Sequence, residues 1–212
     1  MTDELIERLG AGLRPVARLA VLRRLCLGVA AGGLVSAILT WATLGFRPDM
    51  DEAAHETIFW VKLAYTLALG GLALWACERL VRPIGSAKRR MPWLVAPLAT
   101  VMILALWQLA RVPAPMRMPM VMGHSANICP WCILVFSLPP LAGLVWAVRG
   151  LAPTRLRLTG AMVGLAAGGI GASVYALHCD ESTVPFLAVW YTLGVAGAAA
   201  VGWLSGPRLL RW

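Results

Sequence analysis

Charge is scarce in this 212-residue chain. Asp, Glu, Lys and Arg make up 14% of it against 59% hydrophobic residues, a balance expected of a membrane protein rather than of a soluble domain. A long polar stretch is missing as well. The longest segment outside the apolar runs, at the N-terminus, has about two dozen residues, too few to bury a core of its own. That excludes a separate soluble catalytic or sensory domain, so any chemistry sits in the apolar runs or their short connections. The first run starts only after this segment, with no small-residue cleavage site and soluble body behind it, which argues against a removable signal peptide. The net charge of +9 would suggest nucleic acid in a soluble protein. Here its distribution matters more than its sign, and no direct nucleic-acid binding is expected.

What is present is a set of six apolar runs, placed at Cys26 to Phe46, Thr57 to Leu80, Trp93 to Val112, Trp131 to Val148, Leu158 to His178 and Val184 to Leu204. Each is close to the roughly twenty residues that cross a bilayer as a helix. The expected fold is therefore all-α, a polytopic integral membrane protein with six transmembrane helices. Pro139 and Pro140 interrupt the fourth run and predict a kink there. Gly160, Gly164 and Gly168 recur every fourth residue in the fifth, making a smooth face for close helix packing.

The basic residues set the orientation. Arg8, Arg14, Arg18, Arg23 and Arg24, then Arg79, Arg82, Lys88, Arg89 and Arg90, then Arg149, Arg155 and Arg157, then Arg208 and Arg211 fall in alternate connections or at the ends. By the positive-inside rule both termini are cytoplasmic, in a multi-pass membrane protein. The acidic cluster Asp49, Asp51, Glu52 and Glu56 and the pair Asp180 and Glu181 then face outward. Lys62 lies about a turn and a half inside the second run, where snorkelling to the interface accounts for it.

Residues 1–24 carry Leu5, Ile6, Leu9, Leu13, Val16 and Leu19 at helical spacing. Asp3, Glu4 and Glu7 come early and the arginines late, the order that favours a helix dipole. Pro15 divides the segment into two pieces. It either lies on the inner leaflet or docks on a partner protein. The remaining residues, 25–212, form the transmembrane body.

The densest chemistry falls between Pro113 and Cys132. Met116, Met118, Met120 and Met122 alternate, a period that extended backbone lines up on one face and a helix does not, so a loop is expected. His124, Cys129 and Cys132 follow at once, and such soft ligands suit copper(I), zinc or a thiol redox couple. For the methionines alone the plainer reading, flexible filler at a membrane surface, is preferred. A C-x-x-C pair at the mouth of a span is reactive or metal-binding more often than inert. On the expected topology all three histidines, His55, His124 and His178, come out on the external side with Cys129, Cys132 and Cys179. Cys26 and Cys77 end near the inner side as ordinary small apolar residues. Cys129 has two partners open to it, Cys179 at the end of the adjacent run and Cys132 one turn away. Three external thiols leave one unpaired in any single disulfide state, which points to exchange or metal ligation rather than a static staple.

LIERLGAGLRPVARL at the N-terminus, the stretch from Cys132 to Gly168, YALHCDES, FLAVWYTLG and the terminal GPRLLRW together resemble the NrsF family, six-span anti-sigma factors that negatively regulate extracytoplasmic-function sigma factor F. The resemblance covers nearly the whole chain. It implies that the N-terminal segment, with Leu5, Leu9 and Leu13, holds an extracytoplasmic-function sigma factor. It also implies that two outward cysteines, matching Cys129 and Cys179, sense metal or oxidative stress. Cys132 and the Met-rich stretch stand outside the family pattern.

The expected function is thus a membrane-bound regulator without catalytic activity. No cofactor is required on this reading. A transition metal, copper, cadmium, chromium or zinc, would act as signal, with His124, His178 and the four methionines tuning the choice and Asp180 and Glu181 raising the local cation concentration. The alternative is a membrane disulfide oxidoreductase using Cys129-Pro130-Trp131-Cys132, which would normally need a second outward pair where only Cys179 remains. A copper carrier would need polar ligands deep in the spans, and the sequence offers none.

Overall fold

The computed structural model describes residues 19–82 and 85–211, and among them every regular element is helical. In chain order these are α1 (Ala20–Thr43), the short α2 (Met50–His55), α3 (Thr57–Leu80), α4 (Met91–Ala110, opening with a 3-10 turn), the short α5 (Ala114–Met122), α6 (Cys129–Arg149), α7 (Leu156–Tyr175) and α8 (Val184–Leu209). Six of them, α1, α3, α4, α6, α7 and α8, are long and apolar enough to cross a membrane. Leu34, Ile103, Leu106 and Leu204 are each more than 60% exposed. So much bare aliphatic surface is tolerable only where the solvent is lipid. The N-terminal segment with Leu5, Leu9 and Leu13 lies outside the described residues. Arg23 and Arg24, grouped with it above, belong to the first turns of α1.

The bundle is built around α7, the most enclosed of the six, which packs against α3, α6 and α8. Its glycine face is the reason. A Cβ on Gly160 would sit 2.2 Å from the Gly202 carbonyl oxygen, and one on Gly164 would sit 2.2 Å from that of Ala198. Only bare backbone allows α7 and α8 to approach so closely, and dispersion contacts along that seam replace the hydrophobic effect that lipid cannot supply. The expected glycine packing face is therefore present.

Helix α6 runs on through Pro139 and Pro140. Pro140 has no N–H to give the carbonyl of Phe136 one turn back. Ser36 of α1 supplies the donor instead, its hydroxyl 2.7 Å from the Phe136 oxygen. A bare carbonyl in the apolar interior would cost about 1–3 kcal/mol, so this bond lets two prolines stand inside a membrane-length helix.

The helices alternate in direction, which sorts their ends onto two faces. One bears arginines. There Arg24, Arg90 and Arg157 stack on Trp146, Trp75 and Trp203, with guanidinium carbons 5.3, 4.4 and 5.0 Å from the ring centres, an arrangement suited to a membrane interface. The opposite face bears the connections α1–α2–α3, α4–α5–α6 and α7–α8, with Cys129 and Cys179.

Two expectations fail here. Residues Ala114–Met122 form helix α5, not an extended loop. The alternation of methionines is thus incidental: 100° per residue puts Met116 and Met120 on one side and Met118 and Met122 on the other. Lys62 does not snorkel either. It is 1% exposed and points into the bundle.

Candidate functional site

Cys129 opens α6, fully buried, with its N–H bonded to the Ser125 carbonyl at 2.8 Å. Pro130 in the first turn removes a donor that would have lacked an acceptor there anyway. Cys132 follows one turn on and is partly exposed. Cys179 lies in the connection just beyond α7, 3% exposed, its N–H bonded to the Tyr175 carbonyl at 3.0 Å. Because α6 and α7 are packed neighbours, these ends coincide. Cys129 and Cys179 share one buried cluster, with their thiols close enough to influence each other's charge. All the cysteines are free thiols.

Around this pair stand side chains from four helices. Tyr175 ends α7, its ring stacked on Phe136 with centres 6.3 Å apart and tilted against Tyr191 at 6.1 Å. Tyr191 comes from a π turn, Leu187–Tyr191, in α8. Its hydroxyl is buried beside the Cys179 sulfur with no well-formed hydrogen bond among the described residues. Lys62 comes from α3, its ammonium donating to the Cys179 carbonyl oxygen at 3.1 Å. The Cys179 thiol is held below the ordinary thiol range, first because Cys129 can donate to its sulfur, and further by the charge of Lys62, while burial acts the other way. A thiolate here is therefore more accessible than burial alone would allow.

The connection carrying Cys179 is tied to each of its neighbours on this face. Arg47 donates its N–H to the Leu177 carbonyl at 3.1 Å, and the His178 ring contacts the Gly45 carbonyl at 3.0 Å. Thr183 bonds the carbonyl of Met120 at 2.7 Å, and Gln108 accepts from the Val184 N–H at 3.0 Å. Glu181 is the strongest tie. One carboxylate oxygen accepts from the backbone N–H groups of His124 and Ser125, at 2.6 and 2.9 Å, and from the Ser125 hydroxyl at 3.1 Å. Gly123 has φ +52°, and a Cβ there would meet the Glu181 carboxylate at 2.4 Å. The loop leading to Cys129 is thus clamped by a residue two positions after Cys179.

The expected metal-tuning residues do not converge. The His124 side chain is fully exposed, His178 turns to Gly45, and His55 is exposed. The methionines occupy opposite sides of α5. Asp180 is exposed, but Glu181, expected to face outward and gather cations, is buried in its own hydrogen bonds. Among the described residues no three His, Cys, Asp or Glu side chains gather as a ligand set.

Known proteins match this chain along nearly its whole length. The family described as "Negative regulator of sigma F", NrsF, matches residues 9–212. The chain belongs to the NrsF family. Among its relatives, the anti-sigma-F factor NrsF of Caulobacter vibrioides (strain NA1000 / CB15N) is 39% identical over 214 residues, covering 100% of this chain and 99% of that one. The probable anti-sigma-F factor NrsF of Azospira oryzae (strain ATCC BAA-33 / DSM 13638 / PS) is 37% identical over 216 residues, with the same coverage. No solved structure matches. By family the role is a regulatory one.

Sequence reasoning missed Tyr175 and Tyr191, read Lys62 as snorkelling, and gave Glu181 a cation-gathering role instead of the clamp. For Lys62 a signal existed: a charged residue inside an apolar run is a functional candidate by default. The tyrosines lie in the YALHCDES and FLAVWYTLG blocks that carry the family resemblance, but nothing in their spacing shows that they face one another.

Proposed function

We propose that this chain holds an extracytoplasmic-function sigma factor at the bacterial inner membrane and releases it when Cys129 and Cys179 become joined. The arginine-rich face with both termini is cytoplasmic, as the positive-inside rule asks, and the thiol pair is periplasmic. The apolar stripe of Leu5, Leu9 and Leu13 takes the grip on the sigma factor, in the manner of a helix in a groove. The observation that carries the reading is the juxtaposition of Cys129 and Cys179 at the ends of two packed helices. A bond between the sulfurs changes the setting of α6 against α7. The Arg149 to Arg157 connection at their other ends moves with them. A hundredfold loss of sigma affinity needs about 2.7 kcal/mol of coupling, within the usual range for linked sites. With two adjacent thiols and no third ligand gathered, closure of a disulfide by an oxidant is the signal the geometry favours. A soft metal ion bridging the same sulfurs is the competing signal in the test.

The test uses full-length protein in membrane vesicles with its sigma factor bound. Oxidation by diamide is expected to release most of the sigma factor from the wild type and from Cys132→Ser, the latter more weakly. Cys129→Ser and Cys179→Ser should retain it. Release by copper or zinc under reducing conditions would move the reading to metal bridging. Normal release from Cys179→Ser would end it.

A further inference from the structure

A lysine ammonium in a membrane interior is costly unless something compensates it. Lys62 is 1% exposed, and among the described residues it makes no salt bridge to a carboxylate. Among the described residues its one hydrogen bond is to the Cys179 carbonyl at 3.1 Å, which sets the ammonium at that residue. Tyr191 presents a second anomaly, a buried hydroxyl without a well-formed hydrogen bond beside the same sulfur. Buried donors seldom go unused, and such an exception asks for a reason. Both are answered if the sulfur carries negative charge, which gives the ammonium a counter-ion and the hydroxyl a strong acceptor. Cys129 is bonded to neither donor.

We propose that Lys62 and Tyr191 make Cys179 the attacking thiol of the pair and Cys129 the resolving one. The proposal rests on the reading that the two thiols close a disulfide, and it adds the order of events and the residues that set it. With a hydroperoxide as oxidant, the Cys179 thiolate attacks one peroxide oxygen. The O–O bond breaks, hydroxide leaves from hydrogen peroxide, and Cys179 becomes a sulfenic acid. The Cys129 sulfur then attacks the Cys179 sulfur, the S–O bond breaks, and the Cys129 proton leaves with the hydroxyl as water. Two thiols have lost two electrons to one peroxide, and two waters have formed in all. Lys62 and Tyr191 are positioning residues in this scheme: they hold the charge on sulfur and take no part in bond making.

The order can be read on the protein itself. Full-length protein in membrane vesicles is treated with methyl methanethiosulfonate, a small thiolate-selective reagent, and the labelling rate of each cysteine is followed by mass spectrometry. Cys179 is expected to react before Cys129. Lys62→Met should slow Cys179 severalfold, because lifting the thiol pKa through the assay pH lowers the thiolate fraction, and Lys62→Arg should restore most of the rate. Tyr191→Phe should slow Cys179 severalfold, and Cys132 should keep its rate throughout. Cys129 reacting first in the wild type, or an unchanged Cys179 rate in Lys62→Met, would overturn the proposal. If Lys62→Met does not reach the membrane, the wild-type order and Tyr191→Phe still decide it, and a Tyr191→Phe rate equal to wild type counts against it. Sigma release plays no part in this assay. Should the order hold while diamide fails to release the sigma factor, the functional reading fails and the thiol assignment stands.

Discussion

The carboxylate of Glu181 holds the backbone of the loop before Cys129 from a position two residues after Cys179, so one side chain sets the distance between two thiols far apart in sequence. Glu181→Ala would take the acceptor from two backbone N–H groups and a hydroxyl at a partly buried site, a loss of at most about 1–3 kcal/mol for each group that water does not reach. Thermal unfolding of the purified protein in detergent should shift down clearly for Glu181→Ala and much less for Glu181→Gln, which keeps an acceptor oxygen in place. An unchanged midpoint for Glu181→Ala would show that the clamp is not needed to hold the loop. At this scale the sequence was legible for the thiols, because cysteines at the mouths of apolar runs are conspicuous by type and place. It was not legible for Glu181 or Lys62. Charged residues near a membrane surface are expected to turn toward water, and only the packing of several helices reveals an inward one.

Among the helices, α6 depends on α1 through one bond. Ser36→Ala leaves the Phe136 carbonyl without a donor at the proline step, and the loss should be about 1 kcal/mol, the usual size for an interhelical bond in a membrane protein. Equilibrium unfolding in mixed micelles measures it. No change would mean that the Phe136 carbonyl finds a donor other than Ser36. The six runs and the glycine seam of α7 could be read directly, since length and small-residue spacing are written into single segments. Which way each helix turns about its axis could not. Lipid and protein interior are equally apolar, so the pattern that tells the buried face of a soluble helix is faint here, and the inward side of α3 with Lys62 went unseen. For α5 the error was of another kind. A two-residue period over four methionines looked like extended backbone, but so short an alternation also fits a surface helix that presents sulfur on both sides.

For the molecule as a whole, the account requires that the thiol-bearing and arginine-bearing faces lie on opposite sides of the inner membrane. A thiol reagent unable to cross that membrane, applied to reduced intact cells, should label Cys132, the most exposed of the three outer thiols, and spare Cys26 and Cys77. Labelling of Cys26 with the outer thiols untouched would invert the topology and with it the sensing argument. The two ends of the bundle communicate in this account through α6 and α7, packed side by side from the thiol pair to the Arg149 to Arg157 connection. The measurement that tests this most directly follows both ends at once in living cells: the fraction of protein with a Cys129–Cys179 disulfide, mapped by mass spectrometry after acid trapping, against transcription from a promoter that depends on the bound sigma factor. The account predicts that the two rise together under oxidant and that Cys129→Ser and Cys179→Ser abolish both. Full induction while Cys129 and Cys179 remain unjoined thiols would contradict it.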